Sequence, residues 1–217
     1  MEELNEKESL IKYLEDNGLY MVKKSDFEAL IEMSGRSYEN YPLDVYFTGG
    51  GKYDPEHLKQ TIRVNLYSMC DEGIIYSDSA ELNSLVILLP PGYSGIKTLS
   101  FIWNGGFKTI FGYGIKNFKK MVDFESFAMN MRKKYTNNKD WYLYNLCVDP
   151  KCQGKKIASK LIKPLLNYFK EHKLMCYLET NWDKNVPIYE HFGFKVMEKA
   201  MVPGSNVEHY GMLFDCR

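Results

Sequence analysis

In this 217-residue chain the residues whose types and spacing best suit chemistry are Gln153, Gly154, Lys155 and Lys156. Before them Tyr142 to Val148 alternates and is rich in β-formers, and Asp149-Pro150 ends that run. After them Ala158, Leu161, Ile162, Leu165, Leu166 and Phe169 recur with the period of one helix face. The first turn of such a helix has backbone N–H groups with no intrahelical acceptor, and its dipole favours negative charge. Gly154 lets an anion approach the backbone closely, and Lys155 and Lys156 add charge. Phosphate binding is the chemistry this pattern implies. Dinucleotide and nucleotide sites share it, so the loop by itself does not name the ligand.

Other candidates are weaker on their own terms. Gly49-Gly50-Gly51 before Lys52 lacks both the first glycine and the Ser/Thr of a phosphate loop and reads as a flexible turn. Five cysteines (Cys70, Cys147, Cys152, Cys176, Cys216) are odd in number and scattered, with no zinc spacing. Neither a metal site nor a disulfide framework is expected, which suits a reducing cytoplasm. Cys147 and Cys152 read as small packing residues. Downstream, Cys176 to Thr180 is a short strand, and Asn185-Val-Pro-Ile-Tyr189-Glu-His-Phe-Gly-Phe194 follows it.

Taken together, Gln153-Gly-Lys-Lys-Ile-Ala158 and the Asn185–Phe194 run resemble the GNAT superfamily of acetyl-CoA-dependent N-acetyltransferases. The family loop is Gln/Arg-x-x-Gly-x-Gly/Ala. Gln153 and Ala158 match it, while Lys156 stands where the motif has its Gly after the two free positions. The family's Asn, Tyr and Gly-Phe fall on Asn185, Tyr189, Gly193 and Phe194. The pattern is closest to puromycin-type and related antibiotic N-acetyltransferases. It includes Trp-Tyr-Leu before the strand, Val-Asp-Pro after it, Pro164 in the helix, Tyr-Leu-Glu-Thr, a late Val-Pro-Gly and Pro90-Pro91-Gly92. The resemblance covers about residues 84–217.

This resemblance implies acetyl transfer to an amine by direct attack in a ternary complex. A primary amine with a pKa near ~10 must first lose a proton to a base. The resulting oxyanion needs a donor, and removing such a donor can cost roughly 10²–10³ in rate. The family provides it from a backbone N–H at a bulge in the strand here spanning Leu146, Cys147 and Val148. Acetyl-CoA would lie along those residues, Gln153 to Ser159 (Ile157 included), Asn185 and Tyr189. Tyr189 would protonate the leaving thiolate. Glu179, at a strand end facing the expected cleft, is the base candidate, with His209 a lesser one. Tyr38, Trp103 and Phe107 are weak acceptor-binding candidates.

The elements that position these residues follow from the rest of the chain. A helix over 3–16 carries Leu4, Ile11 and Leu14, and Leu19 to Val22 forms a first strand. Ser25-Asp-Phe-Glu28 has capping-box spacing before a helix. Residues 38–54 read as an aromatic loop. Asp54-Pro55 opens a helix with Leu58, Ile62, Leu66 and Met69 on its buried face. Residues 73–77 and 84–89 form an antiparallel pair, and 99–114 an aromatic helix pair. A helix from about 115 to 135 ends in an asparagine-rich turn. The expected fold is α/β: one GNAT-like domain over 1–217, with a bent mixed sheet of about seven strands flanked by helices and residues 1–18 as a helical extension.

Charge is balanced at 28 basic and 28 acidic residues. No global field therefore favours nucleic acid or anionic lipid. No run approaches a membrane span, and the acidic N-terminus does not resemble a signal peptide. A cytoplasmic enzyme with a small-molecule amine acceptor and possible homodimerisation is the resulting expectation. Acetylation of a protein N-terminus or lysine, and a non-catalytic acyl-CoA-binding domain, stand as alternatives.

Overall fold

Alternation within the most apolar runs decides the layers. In the computed structural model, which describes residues 2–49, 54–136 and 139–217, β2 (Ile74–Ser77) and β3 (Ser84–Leu89) are buried at every position. Their odd and even side chains go to different cores. Tyr76, Val86 and Leu88 meet Trp141, Leu143, Leu161, Leu165 and Phe169 on one face. Ile75, Leu85, Ile87 and Leu89 meet Phe27, Leu30, Leu58, Ile62 and Leu66 on the other. A strand buried on both faces belongs in the middle of a three-layer sandwich.

The sheet has seven strands in the order β1-β2-β3-β4-β5-β7-β6. Besides β2 and β3 they are β1 (Tyr20–Met21), β4 (Trp141–Val148), β5 (Cys176–Thr180), β6 (Lys195–Met201) and β7 (Glu208–Phe214). Every adjacent pair is antiparallel except β4 and β5. One face carries α1 (Glu2–Asp16) and α8 (Ile157–His172), and the other α2 (Phe27–Ser37) and α4 (Pro55–Met69). Leu10 and Leu14 seat α1; each such buried leucine contributes about 1.5–3 kcal/mol. Pro164 lies inside α8, which continues past it to His172.

Two local expectations are corrected. The Ser25/Glu28 capping box does not form. Asp26 instead accepts from the Lys23 N–H at 2.8 Å, and Lys24 to Asp26 makes a 3-10 turn before α2. Within the expected loop 38–54 lies a helix, α3 (Pro42–Phe47), with Pro42 near its start where no backbone donor is needed. Gly50 to Lys52 and the Asn137-Asn138 turn fall outside the described residues. The aromatic segment does form a helix pair, α5 (Thr98–Trp103) and α6 (Gly106–Tyr113), followed by α7 (Ile115–Thr136). A ninth helix among the described residues, α9 (Val186–His191), precedes β6.

Candidate active site

β4 and β5 run side by side only briefly. Trp141, Tyr142 and Leu143 pair with Cys176, Tyr177 and Leu178, and the register then ends. The cause lies on the other side of β4. Leu143 pairs with Leu88 and Asn145 with Ile87, so Tyr144 is an extra residue, a bulge. Bulges bend the strand that carries them and raise its twist. Beyond it, Tyr144 to Val148 has no β5 partner, and a gap opens between two parallel strands. The bulge therefore sits two residues before Leu146 rather than within Leu146–Val148. The Oδ1 atom of Asn145, just past the bulge, is buried without a hydrogen-bond partner.

The anion loop lies at one mouth of this gap. Its entry is pinned by Asp149, which accepts from the Lys151 N–H at 2.9 Å and pairs with Arg36. Burial pushes the Asp149 carboxyl up, but the Arg36 and Lys151 bonds outweigh that and hold it below its ordinary value. Gly154 (φ 80°) and Lys156 (φ 60°) are both left-handed. The departure from the family glycine thus stands at a position whose backbone favours glycine, and a non-glycine residue there costs about 1–2 kcal/mol. Among the described residues no acceptor meets the backbone N–H groups of Gly154, Lys155, Lys156, Ile157, Ala158 or Ser159. Six N–H donors without a protein acceptor, in and just before the first turn of a sixteen-residue helix, suit an anion such as a diphosphate.

Aromatic and acidic side chains surround the rest of the gap. Tyr189, half-buried on α9, packs on Phe194 with ring centroids 6.0 Å apart and lies in the field of Tyr41 and Cys147. Burial raises its pKa, so its phenol keeps its proton at neutral pH. Tyr38 lies near Cys147, Tyr41, Tyr189 and Asp44. Tyr41 ties α3 to the end of β5: its hydroxyl accepts from the Asn181 N–H at 2.7 Å and contacts Thr180 Oγ1 at 3.4 Å. Asn185 donates to that same Thr180 Oγ1 at 3.2 Å. Burial pushes Asp44 on α3 up to about 7. Tyr41 and Tyr144 lie in electrostatic reach of both Asp44 and Glu179.

Glu179 is the most elaborately held of these groups. The Tyr142 hydroxyl donates to its Oε2 at 2.9 Å. Arg132, buried on α7, stacks 4.4 Å from the Tyr142 ring centre and donates to the Tyr93 carbonyl at 3.0 Å. Burial pushes Glu179 up to about 7, while the Tyr142 bond and the Arg132 charge pull the other way. Behind it, Asn181 Nδ2 donates to the Glu208 carbonyl at 3.0 Å and to His209 Nδ1 at 3.1 Å. The ring proton of His209 is therefore on Nε2. That atom is buried without a partner, 3.9 Å from Glu179 Oε1. Burial lowers His209 to about 4, so between about pH 4 and 7 both groups are neutral and form no ion pair.

Around this gap the structure sets Tyr38, Tyr189 and Cys147 in electrostatic reach of one another, and holds Asn185 and Tyr41 on Thr180 beside Glu179. It leaves Leu146 to Val148 on the part of β4 that β5 does not pair, and carries Gln153 to Ser159 on from the end of that strand. It does not bring Trp103 and Phe107 to the gap; they project outward from α5 and α6. Cys147 is buried, with a thiol pushed up to about 11, and contacts Ser34 Oγ at 3.6 Å, so it is no thiolate nucleophile. Tyr41, Asp44, Tyr144 and Arg132 carry no motif, and Tyr142 entered only with its strand and the Trp-Tyr-Leu run.

Residues 128–214 match the family model for the acetyltransferase (GNAT) domain, a shorter stretch than the 84–217 of the sequence resemblance. An uncharacterised N-acetyltransferase of Schizosaccharomyces pombe is 38% identical over 73 residues, 34% of this chain but only 30% of that protein's length. A histone acetyltransferase HPA2-related protein of Corynebacterium glutamicum superposes with a TM-score of 0.61 at 13% identity, covering 91% of this chain and 94% of that one. A polyamine N-acetyltransferase of Drosophila melanogaster does so at 0.59 and 11%, covering 91% and 98%. Likeness at such identities speaks for the fold. Residues 128–214 are thus similar to the acetyltransferase (GNAT) domain, and the chain as a whole has the α/β fold of those solved structures, a seven-stranded mixed sheet flanked by helices.

Proposed function

We propose that this chain transfers an acetyl group from acetyl-CoA to a primary amine of a small molecule, by direct attack within a ternary complex. The observation that carries the reading is the β4–β5 gap, with six N–H donors without a protein acceptor at its mouth and Glu179 and Tyr189 on its walls. The donor supplies one thing, a thioester carbonyl open to an amine. Gly154 to Ser159 hold its diphosphate, and the unpartnered edge of β4 beyond Tyr144 offers backbone groups to its amide arm. An N–H of that edge, at Leu146 to Val148, stabilises negative charge on the carbonyl oxygen.

The chain's ionisable groups divide the proton work. Glu179, ionised above about pH 7, takes the proton that a primary amine must lose. Tyr189 keeps its proton and donates it to the departing sulfur. His209 stays neutral and keeps an N–H behind Glu179, a positioning role. Tyr38, Tyr41, Tyr144 and Asp44 surround an acceptor that is cationic in solution, giving it aromatic faces and a carboxyl. The puromycin-type pattern makes amine-bearing antibiotics the first acceptors to test, with arylalkylamines and polyamines beside them. Release of free thiol from acetyl-CoA only when such an amine is present supports the proposal. Tight CoA binding with no turnover across the whole panel refutes it.

A further inference from the structure

Between Glu81 and Asp123 this charge-balanced chain contains no acidic residue, while Lys97, Lys108, Lys116, Lys119 and Lys120 all fall there. The same segment exposes large apolar side chains: Leu99 (71% exposed), Trp103 (84%), Phe107 (55%), Phe111 (82%) and Ile115 (82%). They stand on α5, α6 and the start of α7, consecutive elements packed together. Apart from Lys108, α6 is uncharged all round, yet only its Gly106, Thr109 and Tyr113 side is buried. A helix apolar on every side has a use for its second face.

The hairpin presenting this face is firmly held from beneath. Gln60 Nε2 donates to the Gly105 carbonyl at 3.1 Å, and Asn104 Nδ2 donates to Ser68 Oγ at 3.1 Å. Phe101 turns inward against Phe118 and fills the space that a Cβ on Gly106 would take. Trp103, Phe107 and Phe111 point away from these anchors. Their exposure is thus a property of an ordered element.

Lys97 and Lys119 are paired with Glu72 and Asp123, and Lys120 lies on Tyr46. We propose that the α5–α6 hairpin docks on an anionic lipid surface, inserting Trp103, Phe107 and Phe111 between headgroups while Lys108 and Lys116 meet lipid phosphates. Charge complementarity selects this occupant. A second copy paired through the same face would set lysines against lysines. Trp103 and Phe111 stand more than four-fifths exposed, a protrusion that suits insertion into a fluid layer. Trp and Phe flanked by lysine on a short helical element is the composition of an interfacial anchor. Balanced total charge concealed this block, and a surface anchor needs no membrane span.

Co-sedimentation of the full chain with equimolar phosphatidylglycerol–phosphatidylcholine vesicles tests this, with pure phosphatidylcholine as control. Binding should need the anionic lipid and weaken with salt. Trp103→Ser/Phe111→Ser should reduce it at least about tenfold. Lys108→Glu and Lys116→Glu should each reduce it by roughly fivefold or more. All four positions are exposed, and unchanged melting temperatures establish that the variants fold. Absence of vesicle binding at low salt overturns the proposal, as does binding unchanged in the double variant. A wild-type dimer that the double variant makes monomeric, with no vesicle binding by either, also overturns it and assigns the face to protein.

Discussion

Replacing Glu179 with glutamine should make the protein more stable at alkaline pH while disabling it. Burial lifts this carboxyl from 4.5 to about 7. Its folded pKa exceeds its unfolded one, so the folded state holds the proton more tightly. Its contribution to stability is therefore full below about pH 4.5 and is lost as pH rises through about 7. The displacement is worth about 3 kcal/mol, and water reaching the site reduces that to roughly 2–3. Glutamine keeps an acceptor for the Tyr142 hydroxyl and carries no charge. Urea unfolding of wild type and Glu179→Gln at about pH 5 and about pH 8.5 gives the answer. Subtracting the two proteins at each pH removes Asp44 and His209, which titrate in both. The variant should gain roughly 2–3 kcal/mol relative to wild type at the higher pH and little at the lower. It should also lose about 10²-fold or more in turnover. A stability difference that stays constant with pH would refute a buried, neutral Glu179.

His209 acts in the opposite sense. Its folded pKa is lowered to about 4, so its contribution is full above about 6.5 and is lost as pH falls towards 4. His209→Gln should blunt acid destabilisation in that window, seen as a flatter plot of urea midpoint against pH; an unchanged slope contradicts the burial argument. Arg132→Met removes the cation that favours ionised Glu179 and should move the acid limb of the pH–rate profile to higher pH. A downward or absent displacement would show that Arg132 does not act on Glu179. Lys156→Gly relieves a left-handed backbone, offset in part by glycine's unfolded-state entropy, for a net gain of roughly 0.5–1 kcal/mol. A lower urea midpoint would mean that the lysine side chain makes a stabilising contact.

Periodicity made the scaffold legible. Leu161, Leu165 and Phe169 announced α8, Asp54-Pro55 announced α4, and the runs 73–77 and 84–89 announced β2 and β3. What was not legible lies at shorter or longer range. α3 is six residues inside an aromatic stretch, too short for a helical period. The Ser25 cap had the right spacing, but Asp26 took the bond. The acceptor side of the cleft joins Tyr41 to Asn181, 140 positions apart, and no local pattern encodes such a meeting. The aromatic segment 99–114 was legible as a helix pair, but Trp103 and Phe107, its acceptor-binding candidates, face outward. Lys156 was legible as a departure, but its left-handed φ emerged only from the fold.

The central claim is that the β4–β5 gap is an acetyl-transfer site with Tyr189 as its acid. Thiol release from acetyl-CoA, followed across a panel of primary amines for wild type and Tyr189→Phe, tests it most directly. The ring of Tyr189 packs on Phe194, and its hydroxyl has no hydrogen-bond partner among the described residues, so phenylalanine removes only the proton donor. We predict amine-dependent thiol release by the wild type and a loss of about 10²-fold or more in kcat in the variant, with CoA still raising its melting temperature. Full activity in Tyr189→Phe, or no amine-dependent release by the wild type, would contradict the account.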